Sequence, residues 1–184
     1  MISVLEKPEI RHRALPISVP AYHVMFQQGL VEERAELIRG VVIEKMPKSP
    51  LHTYIASMIH RALLIALPDF WVRKEEPLSL EDSEPEPDVS VVPGLPSRFA
   101  NIHPATALLV VEVAVTSEQL DREKAEIYAE AGVGEYWLVL ANERVVEVHT
   151  GAKDGHWTNI RRVAADEELQ FSNVRLALRD IFPA

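Results

Sequence analysis

The chain has 184 residues and no cysteine. Disulfide bonds and thiolate metal sites are therefore excluded, and the composition fits a cytoplasmic protein. No uninterrupted apolar run of about 18 residues occurs, so we expect no transmembrane helix and no membrane partner. The first residues also lack the basic-then-apolar order of a signal peptide.

Positive charge is scarce. The chain carries 19 basic and 28 acidic residues, which gives a net charge of −9. This balance argues against broad, non-specific binding of nucleic acid, which usually requires a basic surface. A local basic groove remains open, and three basic segments are available for it, although solvated surface charge is the more common role of such segments: 11–13, 73–74 and 161–162.

Several catalytic motifs are missing as well. None of the seven histidines has a partner at the spacing of a zinc site, and the His-Glu-x-x-His pattern does not occur. The serine-hydrolase pattern Gly-x-Ser-x-Gly and the glycine-rich phosphate loop are also absent. Zinc hydrolases, serine hydrolases and nucleoside triphosphatases are therefore weak hypotheses.

The pattern of apolar residues predicts an α+β fold. Residues 1–20 contain three prolines and no sustained periodicity, so we expect an irregular N-terminal arm followed by a single domain over residues 21–184. The predicted helices are 19–29, 51–67 and 118–131, and the predicted strands are 36–46 with a bend at Gly40, 70–80, 88–92, 107–115, 135–140, 144–149 and 156–163. We expect a mixed central sheet covered mainly by the second and third helices.

Two acidic residues stand out against this background. Glu112 lies inside the aliphatic run from Leu108 to Val115, where an ionised side chain is costly unless it is paired or bound to a metal. Asp88 begins another strand-like run. Two carboxylates that approach one point from neighbouring strands form a suitable site for a hard divalent cation.

A lysine is expected beside these acids. Asp121, Lys124 and Tyr128 share one face of the helix that follows the Glu112 strand, so this helix can bring Lys124 close to Glu112. Glu36 can supply a further oxygen. Carboxylates about 4 Å apart repel each other by roughly 4 kcal/mol, so the cluster needs a cation, a proton or a lysine. A divalent metal with a nearby lysine suits phosphoryl chemistry.

Each of these residues also has a simpler explanation. Asp88 follows a proline and suits a turn or a cap, and Glu112 can form a structural ion pair with an arginine. Lys124 and Asp121 can form an exposed pair within the helix, which would contribute little. His52 opens a helix, where a capping or supporting role is as reasonable as a catalytic one.

An ordered set of motifs covers residues 32–150. It comprises Glu36 to Gly40, Met46-Pro47 with Ser49 and His52, Glu86 to Val89, Val110 to Val113, Asp121 with Lys124 and Tyr128, and Gly132 to Val139. In this order and spacing the set resembles the Uma2 family of restriction-endonuclease-like proteins. The resemblance implies a PD-(D/E)xK nuclease core, with a four-stranded mixed sheet flanked by helices and a metal-dependent site.

The resemblance also implies roles for individual residues. Asp88 and Glu112 match the two acids of the nuclease motif, and Glu36 resembles an additional N-terminal acid. The lysine expected two positions after Glu112 is replaced by Ala114, and Lys124 matches its displaced position on the following helix.

We therefore expect a Mg²⁺-dependent nuclease that hydrolyses DNA phosphodiester bonds, with Mn²⁺ as a substitute. Asp88 and Glu112 would bind the metal together with the Val113 carbonyl, and Asp121, Tyr128 and His52 would support the site. The alternative is a non-catalytic binding or assembly protein on the same fold, favoured by the acidic balance and by Ala114. The aromatic residues Tyr136 and Trp137 suggest an interface for a homodimer.

Overall fold

The computed structural model describes residues 7–183. Its elements are α1 (Pro8–Arg11), α2 (Val19–Gln27), β1 (Ala35–Ile38), β2 (Val41–Glu44), α3 (Pro50–Ala66), β3 (Trp71–Arg73), β4 (Val89–Val92), β5 (Leu109–Ala114), α4 (Glu118–Glu130), β6 (Glu135–Leu140), β7 (Val145–Lys153), β8 (His156–Ala164), β9 (Glu168–Phe171) and β10 (Val174–Ala177). Short 3-10 helices at Pro96–Phe99 and Leu178–Asp180 complete them. Residues 1–6 of the expected N-terminal arm lie outside the described range.

A mixed sheet of six strands forms the centre, in the order β3-β4-β5-β6-β7-β8. Only β5 and β6 run parallel, and parallel neighbours require a crossover, which α4 supplies. Gly132 ends this helix in the left-handed conformation, with φ of 68°, which glycine adopts without strain. The mixed α+β architecture expected from the sequence is confirmed, and the sheet has two strands more than the four implied by the resemblance.

The alternation of side chains along β5 separates the two faces of the sheet. Leu109, Val111 and Val113 pack with α3 and with the C-terminal hairpin of β9 and β10. Val110 and Ala114 pack with α4 on the other face. All six residues of β5 are buried. Because successive side chains of a strand point to opposite faces, Glu112 belongs to the face covered by α4.

The hairpin of β1 and β2 is a separate two-stranded sheet. It is held against the main body by hydrogen bonds from the Gly40 N–H to the Asp82 carbonyl at 2.9 Å and from the Glu84 N–H to the Leu37 carbonyl at 2.7 Å. Gly40 forms its turn with φ of 72°. The Ile17 N–H donates to the Gly40 carbonyl at 2.9 Å, which attaches the segment before α2 to the hairpin.

Two expectations were wrong. The strand predicted over residues 70–80 is limited to β3, because Glu75 adopts a left-handed conformation with φ of 55° and Pro77 lacks the N–H that a ladder requires. Tyr136 and Trp137 are fully buried in the core, so they provide no surface for a second subunit. The homodimer itself stays a prediction, which light scattering on the purified protein can check. No helix among residues 7–183 is long and apolar enough to span a membrane.

Candidate active site

Asp88 and Glu112 face each other across two neighbouring strands. β4 and β5 are antiparallel with Val89 opposite Val111, so the next position outward places Asp88 opposite Glu112. The Asp88 N–H lies 3.4 Å from Glu112 Oε2, and the Val113 N–H donates to Asp88 Oδ2 at 2.8 Å. Both carboxyl groups are buried. The sheet therefore fixes the two acids at one point.

The Glu-Pro-Asp segment, residues 86–88, also holds a third acid. The Glu86 N–H donates to Glu36 Oε2 at 3.2 Å, while the Asp88 N–H is directed at Glu112. Glu36 lies on β1 and is buried. Pro87 between them has no N–H, so the two flanking amides are divided between two carboxylates. This segment thus links the hairpin acid to the sheet acid.

Lys124 lies at the centre of the acidic cluster. Its Nζ is 2.8 Å from Glu36 Oε1, 3.3 Å from Glu112 Oε1 and 4.0 Å from Asp121 Oδ1. Its side chain is only 6% exposed. Burial alone disfavours the ammonium, but the surrounding carboxylates outweigh it and raise the pKa of Lys124 above its ordinary value. Lys124 therefore stays charged and neutralises part of the cluster.

Glu112 is held by donors on both of its oxygens. Tyr128 Oη donates to Oε1 at 2.8 Å, and the amide of Asp88 approaches Oε2. Burial raises the pKa of Glu112 to about 8, against the opposing effect of Lys124. Burial likewise raises the pKa of Asp121, whose Oδ2 accepts a hydrogen bond from Ser117 Oγ at 2.5 Å. Without a further cation, this part of the site thus favours protonated carboxyl groups.

Asp88 has the opposite tendency. His52 Nε2 lies 3.0 Å from its Oδ2, and Lys48 Nζ lies 3.3 Å from its Oδ1. Burial would raise the pKa of Asp88, but the hydrogen bond and charge of His52, the Val113 amide and Lys48 together lower it. Asp88 is therefore the carboxylate of the pair that is ionised first. His52 Nδ1 is buried without a hydrogen-bond partner, so His52 contacts the site through Nε2.

These residues line an open cavity of about 600 Å³, which we call the acid cavity. Its wall includes Arg34, Lys45 and Lys48, three basic residues that the sequence analysis did not single out. Lys48 is 34% exposed, so it can meet a ligand that enters, whereas Lys124 lies behind the carboxylates. The only sequence signal for Lys45 and Lys48 was their position beside Met46-Pro47, within the region of the motif set.

Two of the basic segments named above do not contribute to this wall. Arg73 is buried against Trp71 and Glu76, and Arg162 lies on β8, where it pairs with Glu143 and Glu147. The wall of the acid cavity is therefore mixed in charge, and it is not negative throughout.

The simpler explanations can be compared with this geometry. The pair of Lys124 and Asp121 is buried, so it differs from an exposed intrahelical pair. The partners of Glu112 are Lys124, Tyr128 and a main-chain amide, so the expected arginine partner is replaced by a lysine. Asp88 precedes β4 and accepts from β5, so it acts between strands and does not cap a turn.

The donor atoms are oxygen-rich, which suits a hard cation. Among residues 7–183, no three side chains of histidine, aspartate or glutamate form a ready group of metal ligands. Asp88 and Glu112 supply two carboxylates beside open space. Mg²⁺ is commonly held by one or two carboxylates and retains several waters, so this pair fits such an ion.

Comparison with known proteins agrees with the fold. The model of the Uma2 family, described as "Putative restriction endonuclease", matches residues 25–179. The chain belongs to the Uma2 family. A crystal structure from Anabaena variabilis, described as "a putative nuclease belonging to DUF820", is similar with a TM-score of 0.76 and 19% identity, covering 91% of this chain and 98% of that one. No curated protein matched the sequence.

Proposed function

We propose that this protein is a Mg²⁺-dependent nuclease of the PD-(D/E)xK type that hydrolyses phosphodiester bonds of DNA. The observation that carries the proposal is the position of Asp88 opposite Glu112 beside lysines in an open cavity. The family description and the description of the Anabaena protein both name nucleases. These descriptions support phosphodiester chemistry, and the experiment below tests the metal and the substrate.

Asp88 and Glu112 would hold Mg²⁺ or Mn²⁺, with the Val113 carbonyl as a further ligand. When bound, such an ion polarises a phosphate oxygen and lowers the pKa of a coordinated water. The chain would contribute position and charge around it. The Val113 amide and His52 orient Asp88, while Tyr128 orients Glu112.

Two lysines would have different tasks. Lys48, at the open rim, would contact the phosphodiester and stabilise its developing negative charge. Lys124, together with Glu36 and Asp121, would keep the buried carboxylates charged and correctly spaced, and would provide further positive potential to the transition state. This assignment follows the exposed fractions of the two side chains, which are 34% for Lys48 and 6% for Lys124.

The test combines metal binding with cleavage. Titration calorimetry with MgCl₂ and MnCl₂ should show binding to the wild type and a large loss in Asp88→Asn and Glu112→Gln. The same two variants should lose cleavage of single-stranded and double-stranded DNA. Asp166→Asn is the matched control, because Asp166 is an exposed acid on a turn. Absence of Mg²⁺ and Mn²⁺ binding in the wild type would reject the proposal.

One observation favours a second candidate, a non-catalytic binding or assembly protein. Lys124 already neutralises Glu36 and Glu112 through short contacts, so the acidic cluster is stable without a metal. This candidate expects binding of nucleic acid or of a protein without any metal-dependent cleavage. DNA that is bound by the wild type and remains intact over a long incubation with Mn²⁺ would favour it.

A further inference from the structure

A second cavity of about 590 Å³ adjoins the acid cavity. It lies between α2, residues 77–86 and residues 99–103, and Glu86 lines both cavities. Lys45 Nζ holds the Glu86 carboxylate at 2.5 Å. A chain-like ligand in the acid cavity can therefore continue past the pair of Lys45 and Glu86 into the second cavity.

The second cavity presents apolar surface that the fold leaves uncovered. Phe26, on the last turn of α2, is 45% exposed, and Ile102 is 66% exposed. Phe99 is fixed by stacking on Trp71, with ring centroids 5.6 Å apart and an angle of 27°. Exposed aromatic and aliphatic side chains grouped around a cavity indicate a binding surface for an apolar or flat ligand.

The charges of this cavity exclude a phosphate as its main ligand. No lysine or arginine is among its lining residues. Its two carboxylates already have partners, since Glu84 lies 2.6 Å from His23 Nε2 and Glu86 pairs with Lys45. Polar groups at its edge include the side chains of Gln27 and Asn101. The cavity thus suits an uncharged ring that carries hydrogen-bonding atoms.

We infer that the second cavity binds an unpaired nucleobase of the strand whose phosphodiester lies in the acid cavity. The inference rests on the proposed function and specifies its substrate. Bases stack on aromatic side chains only when their own stack is open. The substrate is therefore single-stranded nucleic acid, or a duplex with an unpaired end, and the stacking residue is Phe26.

The test is fluorescence anisotropy with short fluorescein-labelled oligonucleotides, with Ca²⁺ in place of Mg²⁺. The probes are single-stranded DNA, single-stranded RNA of the same sequence, and the blunt DNA duplex. The variants are Phe26→Ala, Phe26→Trp and, as matched control, Ile160→Ala, because Ile160 is 56% exposed on β8 away from both cavities. Thermal unfolding verifies that each variant is folded.

Loss of one stacked base should weaken single-strand binding of Phe26→Ala by about fivefold to 150-fold. Phe26→Trp and Ile160→Ala should bind as the wild type does, and duplex binding should not change. The DNA and RNA probes separate the two sources of the base. Equal single-strand affinity of Phe26→Ala and wild type overturns the inference, as does a dimer by light scattering that Phe26→Ala abolishes without affecting oligonucleotide affinity.

The failure of the proposed function gives a different result. If the wild type binds single strands through Phe26 and cleaves nothing with Mg²⁺ or Mn²⁺, the nuclease proposal fails while the base-binding cavity stands. If the wild type cleaves DNA and Phe26→Ala binds equally well, only the inference fails. A wild type that binds no oligonucleotide overturns both.

Discussion

Replacement of Lys124 by methionine should destabilise the fold strongly, and the loss should depend on pH. The substitution keeps most of the side-chain volume and removes the ammonium that lies 2.8 Å from Glu36 and 3.3 Å from Glu112. The carboxylates would then be buried without their shared cation. Removing one partner of a buried ion pair typically costs about 3–5 kcal/mol.

Protonation of the acids limits this cost. Keeping one glutamate with an ordinary pKa of about 4.3 protonated near pH 7.5 costs about 4 kcal/mol, and near pH 5 it costs about 1 kcal/mol. The loss of unfolding free energy in Lys124→Met should therefore fall from about 4 to about 1 kcal/mol between these pH values. At the higher pH the melting temperature should drop by about 8–16 °C for a chain of this size.

Urea unfolding followed by tryptophan fluorescence measures these free energies, since Trp137 is fully buried. EDTA in the buffer keeps metal ions away from the site. Lys153→Met is the matched control, because Lys153 is exposed on β7, and it should change stability by less than about 0.5 kcal/mol. The double variant Glu36→Gln/Lys124→Met should recover about 1–3 kcal/mol through the coupling of the pair.

A loss below about 1 kcal/mol near pH 7.5 would refute the reasoning, since it would show that the carboxylates do not depend on Lys124. A loss that stays equal at both pH values would point to packing in place of charge. Absence of recovery in the double variant would show that Glu36 is not the partner that suffers.

Three further predictions concern other parts of the molecule. Burial lowers the pKa of His149, so the unfolded chain binds the extra proton and stability should fall as pH decreases below about 6.5, by up to about 1.4 kcal/mol per pH unit; His149→Phe, whose ring replaces nitrogens that have no partner, should flatten this dependence in urea unfolding at several pH values. Gly40→Ala should cost about 1–3 kcal/mol, because its φ of 72° is left-handed and the added methyl would meet Pro16; an unchanged melting temperature would contradict this. Lys48→Met should reduce DNA cleavage more than tenfold and change stability by less than about 1 kcal/mol, while an equal fall in Lys153→Met would refute a specific role.

The sequence allowed the acids to be chosen because their neighbours left few alternatives. Glu112 interrupts an aliphatic strand, and Asp88 begins a second strand, so a common face was a reasonable expectation. The residue that lies opposite each acid follows from the antiparallel register of β4 and β5, which depends on long-range pairing. Periodicity along one segment carries no information about that register.

The basic residues of the cavity were harder to find. Lys48 approaches Asp88 only because the chain turns from the hairpin into α3 at this point, and a lone lysine before a helix carries no local signal. Tyr136 and Trp137 misled for a related reason, since aromatic residues are common both in cores and at interfaces. Their burial follows from the central place of β6 in the sheet, which composition does not reveal.

The hairpin that carries Glu36 belongs to a different sheet from the strands that carry Asp88 and Glu112. Arg39 on its turn holds Glu130 of α4 through two contacts of 2.6 and 2.8 Å, and Gly40 holds the loop at Asp82. Native-state hydrogen exchange should therefore detect one opening unit that comprises the hairpin. While this unit is open, Lys124 loses its nearest counterion, so the integrity of the acidic cluster is set by the least protected sheet of the protein.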